Sequence, residues 1–168
     1  MIEDKVLFKN RFLNWNDITK SVDKICADII LSNIQVDSIL GLSRGGLIPA
    51  VMIANQLGVS RVYSYGLRSY SNKTGGDIMT YQHCGAGDIS GKHVLVVDDI
   101  SDRGESLGYV KNQLTMKLFD ESDINFHTCT VCKKPHTNFE PTWNGLVVSN
   151  DEWVIFPWES DEIKPSDK

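Results

Sequence analysis

Between Trp15 and Leu31 apolar residues recur with a helical period: Ile18, Val22, Ile25, Cys26, Ile29 and Ile30 share one face, with polar residues between them. This spacing predicts an amphipathic helix whose first turn Asn14 or Asn16 caps. Residues 36–42 then read as a short apolar strand ending in Ser43-Arg44-Gly45-Gly46. A second helix is predicted from near Leu47, with Pro49 in its first turn, where a missing N–H costs little, to Gly58, a natural C-terminal cap. Residues 61–65 read as a strand. Val94 to Val97 form an unbroken aliphatic run, the pattern of a strand buried on both faces. Helical spacing returns at Leu107, Val110, Leu114 and Leu118, which predicts a helix over 105–118. Strands are expected near 125–132 and 145–149, followed by an apolar segment over 152–158.

The stretch 68–92 breaks this rhythm. It holds Asn72, Lys73, Thr74, Gly75, Gly76 and Asp77, then Gly85, Gly87 and Gly91, with little apolar periodicity. A connection this long inside a compact domain is usually functional or mobile. Elsewhere helix and strand alternate, which predicts an α/β domain with a parallel sheet at its centre. The length of 168 residues suits a single domain, and the polar tail 160–168 is expected to fray.

Composition narrows the partners. A net charge of -5 argues against sequence-independent nucleic-acid binding, which depends on a basic surface. No apolar stretch approaches the ~20 residues that span a bilayer, so no membrane association is expected. The N-terminus carries acids in place of a signal-peptide core, and a cytoplasmic location follows as the default. Without a secretion signal, the 4 cysteines read as reduced thiols. Cys129 and Cys132 have metal-like spacing, with His127 and His136 close by. A zinc site needs a second such pair, and the segment looks like a strand, so the two thiols read as core.

The densest chemistry follows the buried strand: Asp98, Asp99 and Asp102, then Arg103-Gly104-Glu105-Ser106. Like charges at ~4 Å repel by roughly 4 kcal/mol at an effective dielectric of about 20, so stability does not account for the cluster. A cation or a polyhydroxyl ligand is expected there. Ligands of open α/β sheets collect beyond the carboxyl ends of the strands. Two strand-to-helix joins have the right composition: Ser43-Arg44-Gly45-Gly46, with bare backbone amides and a guanidinium, and 102–106, a second anion cradle beside the acids. Neither the P-loop pattern nor G-x-G-x-x-G occurs.

The run Val96 to Leu107 resembles the signature with which type I phosphoribosyltransferases bind the ribose 5-phosphate of phosphoribosyl pyrophosphate (PRPP). Two apolar residues precede two acids, two intervening residues, Asp-Thr-Gly and a hydroxyl; Arg103 stands where the family carries Thr. The likeness extends to the bacterial xanthine–guanine (purine) branch. Ser43-Arg44-Gly45-Gly46-Leu47-Ile48-Pro49 is similar to its pyrophosphate loop and Ser69-Tyr70 to the start of its flexible catalytic loop. Lys134-Pro135 and Trp153-Val154-Ile155-Phe156-Pro157-Trp158-Glu159 are similar to its purine-binding hood, with Ile155 in place of an acid.

This resemblance implies the type I phosphoribosyltransferase fold: a central, mostly parallel sheet flanked by helices, a flexible loop at about 69–90 and a small C-terminal hood at about 134–159. It implies transfer of the phosphoribosyl group of PRPP to guanine, xanthine or hypoxanthine in purine salvage, by a homodimer or homotetramer. Asp102 would act as general base or proton carrier, and Tyr70 would belong to the closing loop. Arg44 with Ser43, Gly45 and Gly46 would hold pyrophosphate, with Lys73 as the basic residue of the flexible loop. Backbone amides of Arg103, Gly104, Glu105 and Ser106, and the Ser106 hydroxyl, would hold the 5-phosphate. Asp98 and Asp99 would bind ribose hydroxyls and the shell of a Mg²⁺ ion. Lys134 would donate to the purine 6-oxo group, Trp153 would stack on the base, and Val154 would offer backbone contacts. Two alternatives remain open: a phosphoribosyltransferase acting on another base, and a non-catalytic regulator that binds PRPP or nucleotides.

Overall fold

A computed structural model describes residues 9–70, 77–82, 89, 91–118 and 124–159. In chain order the elements are β1 (Lys9–Phe12), α1 (Trp15–Leu31), β2 (Ser38–Ser43), α2 (Leu47–Leu57), β3 (Val62–Tyr70), β4 (Asp77–Gln82), β5 (His93–Ser101), α3 (Glu105–Leu118), β6 (Asn125–Lys133), β7 (Trp143–Val147) and β8 (Glu152–Ile155).

Helix starts and stops follow local chemistry. Asn14 caps α1, its side chain accepting from the amides of Asn16 and Asp17, while Asp17 reaches back to the Asn14 amide. Gly58 ends α2 in the left-handed region, at φ 68°.

Six strands form the main sheet in the order β4-β3-β2-β5-β6-β7, and β1 pairs with β8 in a separate two-stranded ribbon. Every pairing in the main sheet is parallel except β3 with β4. The side chains of β5 divide between two cores. Leu95 and Val97 pack with Ile18, Val22, Ile25 and Ile29 of α1 and with Ala50 and Ile53 of α2. Val94 and Val96 pack with Leu107, Val110 and Leu114 of α3. Alternate residues of a strand face opposite sides, so α1 and α2 cover one face and α3 the other. The expected α/β architecture with a central, mostly parallel sheet flanked by helices is therefore present.

Three expectations are corrected. The third strand runs on from residue 65 to Tyr70, and 77–82 is a strand antiparallel to it, so the glycine-rich segment is not irregular throughout. The sixth sheet strand is Trp143–Val147 rather than 145–149, starting and ending two residues earlier than expected. Strand β5 continues through both acids to Ser101 because Ile100 and Ser101 still register against Cys132 and Lys133. The polar tail 160–168 lies outside the described residues.

Candidate active site

Strands β2 and β5 are neighbours at the centre of the sheet, with Gly41 opposite Val97. From β2 the chain turns into α2 on one face; from β5 it turns into α3 on the other. The two loops diverge and open a crevice at the carboxyl ends of the strands, the usual ligand position in such sheets. Both glycine loops expected from the sequence border this crevice.

The first loop is pressed against β5. A Cβ built on Gly46 would lie 2.3 Å from the Val97 carbonyl oxygen and 2.9 Å from Asp98 Cα. One built on Gly45 would lie 1.7 Å from Asp99 Oδ2. Only glycine lets the backbone of 45–46 approach the acids this closely. The Ser43–Arg44 peptide is cis, and Arg44 is exposed beside the crevice.

The acids themselves are under electrostatic stress. Burial and the neighbouring Asp99 push Asp98 well above the usual carboxylate range. Burial, and next the charge of Glu159, push Asp99 up to about 6. Backbone amides compensate only in part: the Asp99 amide donates to Asp98 Oδ1 at 3.0 Å and the Ile100 amide to Asp99 Oδ1 at 2.7 Å. Two crowded carboxylates with hard oxygen donors suit a cation that takes one or two acids and completes its shell with water and phosphate. Glu159 is a third acid that sequence reasoning assigned no role. It closes the last described turn, accepting from the Phe156 amide at 2.9 Å.

The second loop, 101–104, is laced to the turn after β6. The Lys134 amide donates to the Ser101 carbonyl at 3.0 Å and the Asn138 amide to the Arg103 carbonyl at 3.1 Å. The Ser101 hydroxyl lies 2.8 Å from that of Thr137 and donates to the Phe139 carbonyl at 3.1 Å. Gly104 takes φ 80°, and a Cβ there would lie 2.6 Å from the Phe139 amide nitrogen. This lacing brings Asp102 against two basic side chains. Its Oδ2 accepts from Lys134 Nζ at 3.2 Å, and its Oδ1 lies 2.7 Å from His136 Nε2. Lys134 is only 2% exposed, which excludes an ordinary surface lysine. Arg103 and Glu105 are exposed at the start of α3, and Ser106 is half-buried in its first turn. Helix geometry leaves the first amides of α3 without intrahelical acceptors, as an anion cradle requires.

The remaining candidates are spread further. Trp153 in β8 is 56% exposed, so it is no core tryptophan, whereas Val154 beside it is buried. Tyr70 ends β3 opposite Asp77, on the carboxyl edge that β3 shares with β2 and β5. Lys73 lies outside the described residues.

His136 is the residue to which sequence reasoning assigned no function, noting it only beside the Cys129/Cys132 pair that reads as core. Both thiols are fully buried in the core, and His127 bonds His93, their ring nitrogens 3.0 Å apart. The Asp102 contact could have been suspected only from the position of His136, two residues after Lys134.

Known proteins resemble this chain in sequence and in fold. Residues 10–162 match the family described as the phosphoribosyl transferase domain. The chain is 29% identical over 150 residues to a protein of Chromohalobacter salexigens named xanthine-guanine phosphoribosyltransferase, covering 88% of this chain and 82% of that one. A protein of Gluconobacter oxydans with the same name is 27% identical over 159 residues, covering 88% and 83%. The crystal structure of a purine phosphoribosyltransferase from Pyrococcus horikoshii superposes with a TM-score of 0.77 at 24% identity, over 92% of this chain and 97% of that one. A match over nearly the whole chain, on a sheet whose central crevice carries paired acids and two glycine loops, makes this protein a member of the phosphoribosyl transferase domain family.

Proposed function

We propose that the chain is a purine phosphoribosyltransferase of nucleotide salvage: it transfers the 5-phosphoribosyl group of PRPP to a ring nitrogen of a 6-oxopurine and releases pyrophosphate. The observation that carries the base preference is Lys134, a buried ammonium 3.2 Å from the Asp102 carboxylate. A donor and an acceptor held side by side match the 6-oxo group and the imidazole N–H of guanine, hypoxanthine or xanthine. The amino group of adenine offers Lys134 no acceptor. The xanthine-guanine names of the relatives support the same class of substrate.

Displacement at C1 leaves a cationic sugar between two anions, so the protein's work is largely electrostatic. The amides of 103–106 and the Ser106 hydroxyl bind the 5-phosphate at the start of α3. Arg44 and the amides of Gly45 and Gly46 bind the departing pyrophosphate. Asp98 and Asp99 bind the ribose hydroxyls and hold Mg²⁺, which when bound neutralises charge between the acids and the pyrophosphate. Asp102 takes the proton that the purine loses as its nitrogen bonds to C1. Trp153 stacks on the base, with Val154 beside it, while Tyr70, at the end of β3, contributes to the sugar side of the site.

Pyrophosphate release from PRPP and Mg²⁺ with guanine, hypoxanthine, xanthine and adenine in parallel tests the reading. Turnover of the three oxopurines and not of adenine is expected; no turnover with any base overturns it. The family resemblance extends the proposal to a homodimer or homotetramer, which light scattering of the purified chain checks.

A further inference from the structure

We propose that His136 is a positioning residue for Asp102: its Nε2–H donates to Asp102 Oδ1 and keeps the proton-accepting carboxylate in one orientation toward the base. This inference rests on the transferase reading above and adds to it a residue outside the motif Lys134-Pro135.

Asp102 needs such a partner. It lies on an irregular loop, and its side chain is 42% exposed, so packing alone does not fix its torsions. The two carboxylate oxygens are divided between two donors on one turn, Lys134 on Oδ2 at 3.2 Å and His136 on Oδ1 at 2.7 Å. The His136 contact is the shorter and falls in the range of charge-assisted bonds. An ionised carboxylate only accepts, so the hydrogen between the two atoms sits on Nε2.

The two donors are not equivalent. Lys134 has three hydrogens and, in the proposed reaction, turns toward the 6-oxo group of the incoming base. His136 then remains on Oδ1 and keeps Asp102 from swinging into solvent, leaving Oδ2 to face the purine proton. The imidazole is itself carried on an anchored turn. The His136 amide donates to Asn150 Oδ1 at 3.2 Å, and the Thr137 amide to the Lys134 carbonyl at 3.2 Å. Asn150 is three residues before Trp153, so one short path joins the proton acceptor to the segment proposed to stack on the base.

The test compares wild type with His136→Ala, His136→Gln and His136→Asn in PRPP-plus-guanine kinetics. Misorientation of a reacting group is expected to cost His136→Ala about 10- to 100-fold in kcat, with KM for PRPP little changed. Gln places an amide N–H near the position of Nε2 and is expected to recover most of the loss; Asn is too short and is not. Full kcat in His136→Ala, or a loss that Gln does not repair, overturns the inference. Histidine ¹⁵N spectra of the protein without substrate separate the two readings. A protonated Nε2 at His136 that changes in Asp102→Ala establishes the contact independently of turnover, and an unchanged signal overturns it. If that signal changes while wild type turns over no base, the transferase reading fails and the catalytic role of His136 fails with it, although the contact stands.

Discussion

The Asp99 carboxylate occupies the space that any side chain on residue 45 would need: a Cβ on Gly45 would lie 1.7 Å from Asp99 Oδ2 and 2.4 Å from its Cγ. The first glycine loop and the acid pair are thus one interlocked unit, although 54 positions separate the two residues along the chain. Gly45→Ala must push either the loop or the carboxylate aside. Overpacking of this kind costs about 1–3 kcal/mol, seen as a lowered Tm. PRPP affinity measured by calorimetry is expected to fall about 10-fold or more, because both displaced groups belong to the proposed PRPP site.

Gly104 is constrained in a different way. Its φ of 80° is unfavourable for an L side chain, and a Cβ would lie 2.5 Å from Phe139 Cβ. Gly104→Ala is expected to unlace the loop from the 134–139 turn. A Tm loss corresponding to about 1–3 kcal/mol should accompany a rise in KM for PRPP. Unchanged Tm and KM would show that the turn yields without consequence.

Asp99→Asn separates stability from function. Burial and Glu159 disfavour the Asp99 charge, so removing it is expected to raise the Tm of the protein without ligands at pH 7.5. The same change should abolish the Mg²⁺ dependence of PRPP binding in a calorimetric titration. Retained Mg²⁺ dependence would assign the ion to other groups.

Lys134→Met keeps the length of a buried side chain and removes its charge. Hydrogen bonds to charged groups contribute about 1.5–3 kcal/mol, so KM for guanine or hypoxanthine is expected to rise about 10- to 100-fold. KM for PRPP should move far less. An equal rise in both would place Lys134 in the sugar-phosphate site.

Asp37 gives the protein a pH dependence remote from the crevice. Its Oδ2 accepts from the amides of Lys92 and His93 at 2.7 and 2.8 Å, and these bonds hold its carboxyl below the ordinary value of 3.8. Near that pH the unfolded chain binds more protons at this site than the folded one, so the contribution is present at neutral pH and is lost as pH falls through the lowered value. Asp37→Asn should therefore lower Tm at pH 7. The gap from wild type should narrow below about pH 4, as thermal melts across that range would show.

Much of the fold was legible because its causes are local. The first helix, with its Asn14 cap, and the helix beginning at Leu47 need only neighbours three or four positions away to declare themselves. The Val94–Val97 run announces a two-sided core in the same way, and the composition of the two glycine loops marks where the chain turns from strand to helix. Strands β1 and β4 escaped notice. Both are short, and each exists only by its pairing: β1 with β8, at the far end of the chain, and β4 with an extension of β3 beyond residue 65.

The amino-acid order by itself determined the alternation of elements, the position of the crevice-lining loops and the family motif, since each is written within about a dozen consecutive residues. Tertiary structure alone decided which charges meet. Asp102 and His136 are 34 positions apart, and their contact depends on parallel register between β5 and β6 followed by two loops bonded edge to edge. Gly45 reaches Asp99 only after β2 and β5 lie side by side, and the charge of Glu159 reaches it from the turn after β8. Period and composition report what a residue needs around it; the identity of a distant partner follows from sheet register, which no single segment encodes.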